Sequence, residues 1–376
     1  MAVRSFFITI LSIFYFSPLM AQVDMVRVHQ EWQTNKNKFS VPLHQLQAYL
    51  PKDGIPPVYH PDFWNKRQAT GKFDKHEPMV VVVVKSIEKA YPISVLTYHN
   101  IINDKVADVP IAVTYDPVSN SVVVYDRRVE VNDKKHLLTF GNSGMLRKSN
   151  LVMWDNETES WWQQASGKAI VGEYNDKTLE VVPYMIINYD DYYSAYPYGL
   201  VLSTDIDKSV EYGKNPYYKY DDIQRERPFL YPGMPSERLP AMRKVIAITA
   251  MGENIIYPID IVKSYGVLND TPNDMYIALF YSEDVPSALD EEWIKDSKKV
   301  GTVVPFSAFY NFERLTFKKV GKHFIDHQTE STWDITGKCI KGKHKDGQLK
   351  LLKSKHQFAF TVLDQEPEIR IFGEVY

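Results

Sequence analysis

The sequence predicts a mainly β fold: two diverged β-rich repeats packed into one compact sandwich- or barrel-like unit, with few short helices. Many short apolar runs and an internal repeat predict it. Runs such as Val80–Val84, Ile111–Tyr115 and Val122–Tyr125 are rich in β-branched and aromatic residues and are separated by turn formers, which is typical of strands. Helical periodicity is scarce, so we expect short helices only at Pro42–Tyr49 and Tyr189–Tyr196.

The internal repeat consists of matching segments that occur twice in the same order. Ile111–Tyr115 returns as Ile277–Tyr281 at an offset of 166 (277 − 111), and Asp155–Trp162 returns as Asp326–Trp333 at 171 (326 − 155). Further matches are Tyr91-Pro92 with Tyr257-Pro258, Asn103-Asp104 with Asn269-Asp270, Gly167 with Gly337, Gly172 with Gly342, and Leu179 with Leu349. Ordered matches at nearly one offset indicate two copies of one unit.

The N-terminus has the features of a secretory signal peptide. Arg4 supplies a positive charge, Phe6–Leu19 is almost continuously apolar, and Ala21 is a small residue at a plausible cleavage point. The apolar run is shorter than the roughly 20 residues that a membrane span needs. We therefore expect export to the periplasm or the medium, with no transmembrane segment after cleavage.

The signal peptide and the repeat divide the chain into five segments. The signal peptide (1–21) precedes an N-terminal extension (22–78) and copy one of the repeat (79–205). A Tyr- and Pro-rich connector (206–243) then leads to copy two (244–376). We expect the two copies to pack together as a pseudo-symmetric pair.

Composition excludes several kinds of chemistry. Cys339 is the only cysteine, so no intrachain disulfide can form, and its thiol is expected to be buried and inert. A net charge of −3 gives no reason to expect nucleic acid as a partner. Phosphate-loop, dinucleotide and zinc signatures are absent, so the sequence specifies no cofactor.

Residues that recur in both copies have structural explanations. Asp155 lies between two apolar strands, where its side chain and that of Thr158 can cap a turn, and the tryptophan that follows is expected in the core. Gly167 and Gly172 are expected to bracket a short strand. Asn103-Asp104 is expected to form a turn or a cap.

A series of motifs in both copies is specific enough to indicate a family. Copy one contains Tyr91-Pro92, His99, Asn103-Asp104, Val109–Tyr115, Phe140–Gly144 and Asp155-x-x-Thr158-x-Ser160-x-Trp162. Copy two contains Phe280-Tyr281, Ser287–Asp290, Leu315–Phe317, Trp333-Asp334 and Phe358–Phe360. From about Asp53 almost to the C-terminus, the chain resembles a bacterial family of exported proteins, the domain of unknown function 3179. The resemblance implies kinship but no reaction, because the family has no assigned activity.

Two positions depart from the family pattern. Many members resemble Tyr-Cys-Pro after the strand at 111–115, whereas this chain has Asp116, which removes any thiol-based role and leaves a hard-metal or acid–base role, or a lost function, open. Glu159 stands where glycine is usual, and Glu330 repeats it in copy two. We expect these glutamates to adopt a positive φ.

Polar residues confined to copy one are the better functional candidates. His99 corresponds to Tyr265 in copy two, and Asp116 corresponds to Ser282. His99 and Asp116, with Asp104, could bind a metal or transfer a proton, although their spacing matches no strong metal motif. The favoured alternative for His99 is a hydrogen-bonded structural role.

The Phe140–Gly144 segment is predicted to be a loop with a second possible site. Amides next to Gly141 and Gly144 could approach an oxyanion, and Ser143 could act as a nucleophile. The full Gly-x-Ser-x-Gly elbow is absent, so a plain glycine turn is favoured. The remaining candidates for ligand binding are Asp104, Ser119 and Gln163.

A third possible site is a cluster of tyrosines that could stack a sugar or a peptide. Its members are Tyr184, Tyr189, Tyr192, Tyr193, Tyr196, Tyr198, Tyr212, Tyr217, Tyr218 and Tyr220. The favoured interpretation is packing between the repeats, with each hydroxyl hydrogen-bonded.

Three hypotheses of function follow. The leading one is a non-enzymatic extracytoplasmic binding protein for a small molecule, glycan or peptide, with its site in copy one. The alternatives are a hydrolase or metal-dependent enzyme using His99, Asp116 and Ser143, and a structural envelope protein. The enzyme hypothesis requires those three side chains to converge in one pocket.

Overall fold

A computed structural model describes residues 32–374, so the predicted signal peptide lies outside the described residues. Strands dominate, which confirms the mainly β fold class. The elements before residue 78 are a 3-10 helix Leu43–Gln45, strands β1 Leu46–Ala48 and β2 Phe63–Trp64, and helix α1 Lys66–Ala69. The helix predicted over Pro42–Tyr49 is therefore wrong beyond one 3-10 turn, because β1 pairs with a strand of the following half.

The segment from 78 to 202, here called half one, contains thirteen strands and two helices. These are β3 Pro78–Val84, β4 Ile87–Pro92, α2 Ile93–His99, β5 Ile101–Val106, β6 Val109–Asp116, β7 Ser121–Asp126, β8 Arg128–Val131, β9 Lys134–Leu137, β10 Phe140–Arg147, β11 Asn150–Asp155, β12 Trp161–Gln163, β13 Lys168–Val171, β14 Met185–Asn188, α3 Tyr189–Ala195 and β15 Leu200–Leu202. Helix α3 confirms the prediction at Tyr189–Tyr196.

The segment from 244 to 371, here called half two, has the same order of strands and α-helices. These are β16 Lys244–Ala250, β17 Glu253–Pro258, α4 Ile259–Tyr265, β18 Val267–Asp270, β19 Ile277–Ser282, β20 Thr302–Ser307, β21 Phe309–Tyr310, β22 Glu313–Arg314, β23 Phe317–Val320, β24 His323–Asp326, β25 Thr332–Trp333, β26 Cys339–Lys341, β27 Ser354–Phe358, α5 Ala359–Gln365 and β28 Arg370–Ile371, with 3-10 helices at Pro272–Asp274 and Ile294–Asp296. Within residues 32–374, no helix is long and apolar enough to cross a membrane.

The sheets of the two halves have matching strand orders. One sheet runs β14-β3-β4-β15 in half one, with β2 added at its edge, and β27-β16-β17-β28 in half two. The order β5-β6-β7 likewise matches β18-β19-β20, and β10 to β13 match β23 to β26. Strand β27 also pairs with β7 through His356 and Val122, so a seven-stranded sheet joins the halves.

Strand β3 shows how alternation builds two cores at once. Successive side chains of a strand point to opposite faces of the sheet. Val80 and Val82 therefore enter a core made mostly of half one, whereas Met79 and Val81 enter a core that includes Phe306 of half two. Because both faces are covered, β3 is an almost unbroken apolar run.

Asn103 and Asp104 lie inside β5, so the prediction of a turn or cap at this point is wrong. The Asn103 amide bonds both the backbone N–H and C=O of Phe140, each at 2.8 Å. Asp104 accepts from the Tyr91 hydroxyl at 2.6 Å. Side-chain bonds to neighbouring segments satisfy these polar residues without ending the strand. Half two repeats both contacts through Asn269 and Asp270.

The turn at Asp155 confirms its prediction in detail. The Asp155 carboxylate accepts from the Thr158 N–H at 2.8 Å and from Trp162 Nε1 at 2.8 Å, and the indole is fully buried. Glu159 has φ 54° and Glu330 has φ 55°, so both glutamates adopt the expected left-handed conformation. In half two, Asp326 accepts from its own tryptophan at 2.9 Å.

Candidate functional site

Asp116 ends β6 and is buried inside half one. Its Oδ1 accepts from the Val118 N–H at 3.0 Å, and its Oδ2 accepts from Ser119 Oγ at 2.5 Å and from the Leu151 N–H at 3.0 Å. Burial raises the pKa of Asp116, and these hydrogen bonds oppose that shift. Both carboxylate oxygens thus have protein donors that hold the β6–β7 turn against β11.

Asn150 connects Asp116 to Gln163. Its Nδ2 donates to Ser119 Oγ at 2.9 Å and to Asp116 Oδ2 at 3.1 Å, and its Oδ1 accepts from Gln163 Nε2 at 2.6 Å. Two predicted ligand-binding residues, Ser119 and Gln163, therefore belong to one buried polar network. Gln164, which sequence reasoning missed together with Asn150, completes it by accepting from Asn150 Nδ2 at 3.0 Å.

His99 is the last residue of α2 and is buried. Its Nδ1 lies 2.8 Å from the Pro56 carbonyl oxygen, and its Nε2 lies 2.7 Å from the Tyr212 hydroxyl. A carbonyl can only accept, so Nδ1 carries the hydrogen and Nε2 accepts from tyrosine. Burial lowers the pKa of His99, which favours this neutral imidazole.

The Phe140–Gly144 segment lies within β10, so the predicted loop is wrong: it is a strand with a β-bulge between Asn142 and Met145. Gly144 has φ 72°, and its N–H donates to Asn142 Oδ1 at 2.8 Å. Ser143 Oγ donates to the Val152 carbonyl at 2.5 Å and accepts from the Met145 N–H at 3.1 Å. The Ser143 hydroxyl and the Gly144 amide are engaged inside the protein.

Gly141 allows close packing rather than an exposed amide. A Cβ at this position would lie 2.2 Å from Trp154 Nε1. Asp104, which was grouped with His99 as a possible metal ligand, instead pairs with Lys89 Nζ at 2.8 Å. Among the described residues, no hydrogen bond joins His99, Asp116 and Ser143, and no three His, Cys, Asp or Glu residues are grouped to hold a metal.

A buried ion cluster attaches the connector to half two. Asp221 accepts from Lys298 Nζ at 2.9 Å, lies 3.0 Å from Lys244 Nζ, and also accepts from the Ser287 hydroxyl. Burial raises the pKa of Asp221, but the Lys244 ammonium and these hydrogen bonds outweigh it and bring the pKa to about 2. Lys244 Nζ also donates to Ser287 Oγ at 3.0 Å. Since both groups pair with Asp221 as well, the three side chains form one closed cluster.

Beside the β27–β7 pairing, two contacts between the halves correspond to each other. At the first, the face of β14 and helix α3 of half one pack on half two, and we call this contact the tyrosine-filled interface. One hydrophobic core there contains Met185, Ile187 and Tyr192 of half one. It also contains Phe306, Trp333 and Leu349 of half two. Tyr196 packs against the same core. Tyr192 and Tyr196 thus lie between the two halves, as the packing interpretation expects. The expectation that each hydroxyl is hydrogen-bonded fails at Tyr193, whose buried hydroxyl has no partner in the described residues.

At the second place, the halves line an open cavity of about 520 Å³, here called the cleft. One wall comes from the segment of half one that precedes β14, and it includes Leu179, Val181 and Pro183. The other wall comes from β16, β27 and α5 of half two, and it includes Val362 and, after α5, Ile369.

Four substitutions distinguish the cleft from the tyrosine-filled interface. Helices α3 and α5 start 170 residues apart (359 − 189), and this offset relates the two faces residue by residue. Met185 corresponds to Lys355. The strand pairing agrees, because Met185 pairs with Val81 and Lys355 pairs with Ala247, and these partners are the fourth residues of β3 and β16. The other correspondences at the same offset are Ile187 with Gln357, Tyr192 with Val362, and Tyr196 with Glu366.

Lys355 and Gln357 place polar groups in the cleft. Lys355 Nζ donates to the Ser166 carbonyl at 3.2 Å. Burial lowers the pKa of Lys355 to about 8, and the nearby Glu366 carboxylate opposes this shift. Gln357 is 4% exposed, and its Oε1 has no hydrogen-bond partner within residues 32–374.

Sequence reasoning missed these cleft residues because it searched copy one for unmatched polar groups. The informative positions are those that are apolar in half one and polar in half two. One such pair is Met185 and Lys355, which follows the match of Leu179 with Leu349 along the sequence.

The fold and the cleft define a mainly β protein with two similarly built halves and a cavity between them. Residues 52–368 match the family described as protein of unknown function DUF3179, and the chain therefore belongs to that family. This confirms the resemblance found in the motifs. No curated protein and no solved structure gave a match.

Proposed function

We propose that this chain is an exported, extracytoplasmic protein that binds a small molecule in the cleft between two internal repeats. Three observations support the proposal: the size of the cavity, its lining, and the contrast with the tyrosine-filled interface. The observation that carries it is the contrast, because two corresponding contacts are built from equivalent elements and only the cleft exchanges apolar and aromatic residues for Lys355, Gln357 and an open space.

The size and lining of the cleft suit a small ligand. Ligand pockets commonly measure about 300–1,000 Å³ and combine apolar walls with a few placed polar groups. The cleft volume of about 520 Å³ falls in this range. Leu179, Val181 and Val362 supply apolar surface, while Lys355 and Gln357 supply polar groups.

The unpartnered amide oxygen of Gln357 also supports a ligand or bound water. A buried polar atom without a hydrogen bond costs about 1–3 kcal/mol, so proteins rarely leave one unsatisfied. Gln357 lines the cleft, and its oxygen can accept from an O–H or N–H group that enters. The equivalent position in half one is the apolar Ile187, which needs no such partner.

The His99, Asp116 and Ser143 hypothesis of catalysis receives no comparable support. Each side chain has its own protein partners, and each serves a different contact in half one. We therefore favour binding over catalysis, and assign the polar network of half one to holding its strands together.

The proposal is tested by filling the cleft with the residues of the other interface. The variant Val362→Tyr with Glu366→Tyr gives half two the tyrosines of half one. Fluorescence titration with Prodan, a neutral polarity-sensitive naphthalene dye, is expected to show saturable binding to the wild type and at least a tenfold loss in the filled variant. Circular dichroism and thermal unfolding verify that the variant is folded.

A matched control places the same residue changes on exposed positions of half two. Val320 is 50% exposed and Glu313 is exposed, so Val320→Tyr with Glu313→Tyr should bind Prodan as the wild type does. If the filled variant fails to fold, Glu366→Tyr alone replaces it. Unchanged dye binding in a folded, filled variant, or no binding by the wild type, would overturn the proposal.

A further inference from the structure

Lys355 is a cation in the cleft that lacks an anionic partner in the described part of the chain. Its ammonium donates to a backbone carbonyl of Ser166, and it forms no ion pair within residues 32–374. A charge removed from water is costly unless it is paired. Half one has Met185 at the equivalent position, so the fold does not require a cation there.

The carboxylates near Lys355 make their direct contacts elsewhere, and Glu366 attracts the ammonium through space without forming an ion pair with it. Glu366 accepts from Asn254 Nδ2 at 2.7 Å, and Glu180 pairs with Lys353. The other ionisable residues lining the cleft are two further cations, Lys350 and the Lys353 that pairs with Glu180. The positive charge of Lys355 is therefore left for a molecule that enters the cleft.

The rest of the cleft surface favours an apolar body. Leu179, Val181 and Pro183 form the wall of half one, and Val362 and Ile369 face them from half two. Covering such surface with the apolar part of a ligand is favourable, because it removes apolar area from water. A ligand that satisfies both features is an amphipathic anion.

We infer that the ligand of the cleft is a small amphipathic carboxylate, such as a medium-chain fatty acid, with its carboxylate on Lys355 and its chain between Val181 and Val362. This inference rests on the proposed function, because it specifies the ligand class of the same cleft. A carboxylate and an ammonium form a charge-assisted hydrogen bond, which is stronger than a bond between neutral groups.

The experiment compares two probes that share a chain and differ in charge. Isothermal titration calorimetry with decanoate and with decanol, at neutral pH, is expected to show decanoate binding about tenfold or more tightly to the wild type. In Lys355→Met, which introduces the Met185 side chain of half one, the two affinities should become equal. Lys299→Met, at a lysine outside the cleft that is 50% exposed and pairs with Asp284, should retain the wild-type preference.

The pH dependence provides a readout that a purely structural lysine would not change. The ammonium is the form that binds an anion, and the pKa of Lys355 is about 8 in the free protein. A bound carboxylate raises this pKa, so decanoate affinity should be constant below about pH 8 and fall by about tenfold per pH unit above it. Decanol affinity should not change, and neither probe should show this slope with Lys355→Met.

The outcomes separate this inference from the proposed function. Equal binding of decanoate and decanol by the wild type, with both lost in the filled variant, would overturn the anionic ligand and leave the cleft as a site for neutral molecules. Preference for decanoate that persists in Lys355→Met would also overturn it. Absence of binding for decanoate, decanol and Prodan would overturn both proposals.

Discussion

The tyrosine-filled interface and the cleft are built from equivalent strands and helices, but one is solid and the other is hollow. At the first, Tyr192 and Tyr196 fill the space between half one and the core of half two. At the second, Val362 and Glu366 take their positions and a cavity of about 520 Å³ remains. The contact that packs like a core is thus the one that holds two additional large aromatic side chains.

The comparison teaches that a cavity can arise when smaller side chains occupy one of two similar contacts. Protein interiors are packed as densely as organic crystals, so a hollow contact needs an explanation. The polar residues that accompany the lost volume, Lys355 and Gln357, provide one, because they replace Met185 and Ile187 where an ordinary core would keep apolar residues.

The largest expected effect comes from hollowing the filled contact. Tyr192 is fully buried, and its hydroxyl donates to the Leu200 carbonyl at 2.8 Å. Tyr192→Val introduces the residue of half two and should lower the free energy of unfolding by about 3 kcal/mol, through the cavity and the lost hydrogen bond. Urea denaturation measures this loss. Tyr198→Val, at a side chain that is 92% exposed, is the matched control and should change stability little. A similar small loss at both sites would refute the contrast.

A smaller effect is expected from the charge of Lys355. Its pKa falls from the ordinary 10.5 to about 8 in the folded state, so between these values the unfolded chain binds more protons. Stability of the wild type, relative to Lys355→Met, should therefore rise with pH from about 8 to about 10.5. The rise should be roughly 2 kcal/mol after allowing for partial exposure. Urea denaturation at both pH values tests this, and Lys353→Met should keep the wild-type slope. A flat or falling difference would contradict the burial of the ammonium.

The smallest expected effect comes from filling the cleft. Val362→Tyr with Glu366→Tyr adds contacts that half one already makes, and cavity-filling changes of this kind commonly add about 1 kcal/mol. The midpoint of urea unfolding should rise, and the exposed pair Val320→Tyr with Glu313→Tyr should show no such gain. A loss of more than about 2 kcal/mol would show that the two contacts are not equivalent.

Local chemistry explains which parts of the fold could be predicted. The Asp155 turn, the positive φ of Glu159 and the short strand between Gly167 and Gly172 follow from side chains acting on their own backbone. Asn103 depended instead on a partner strand, since its amide pairs with Phe140, which is 37 residues away. Sequence neighbours carry no information about that partner.

The candidate site was harder to predict for a related reason. Asp116 was a candidate for catalysis or metal binding, and Ser119 and Gln163 were separate candidates for ligand binding. The structure joins all three in a closed hydrogen-bonded network around Asn150. Polar residues that hold strands together and those that face a ligand look alike in one chain. Lys355 was distinguishable only by its apolar equivalent in half one, Met185.

The most direct test of the cleft is a crystal structure of the protein soaked with a neutral brominated naphthalene, located by the anomalous signal of bromine. The account predicts a bromine peak between Val181 and Val362, and no peak at Tyr192 in the tyrosine-filled interface. The filled variant, soaked in the same way, should show no peak in the cleft. A peak that lies elsewhere, or a cleft that stays without bromine while the dye still binds in solution, would contradict the account.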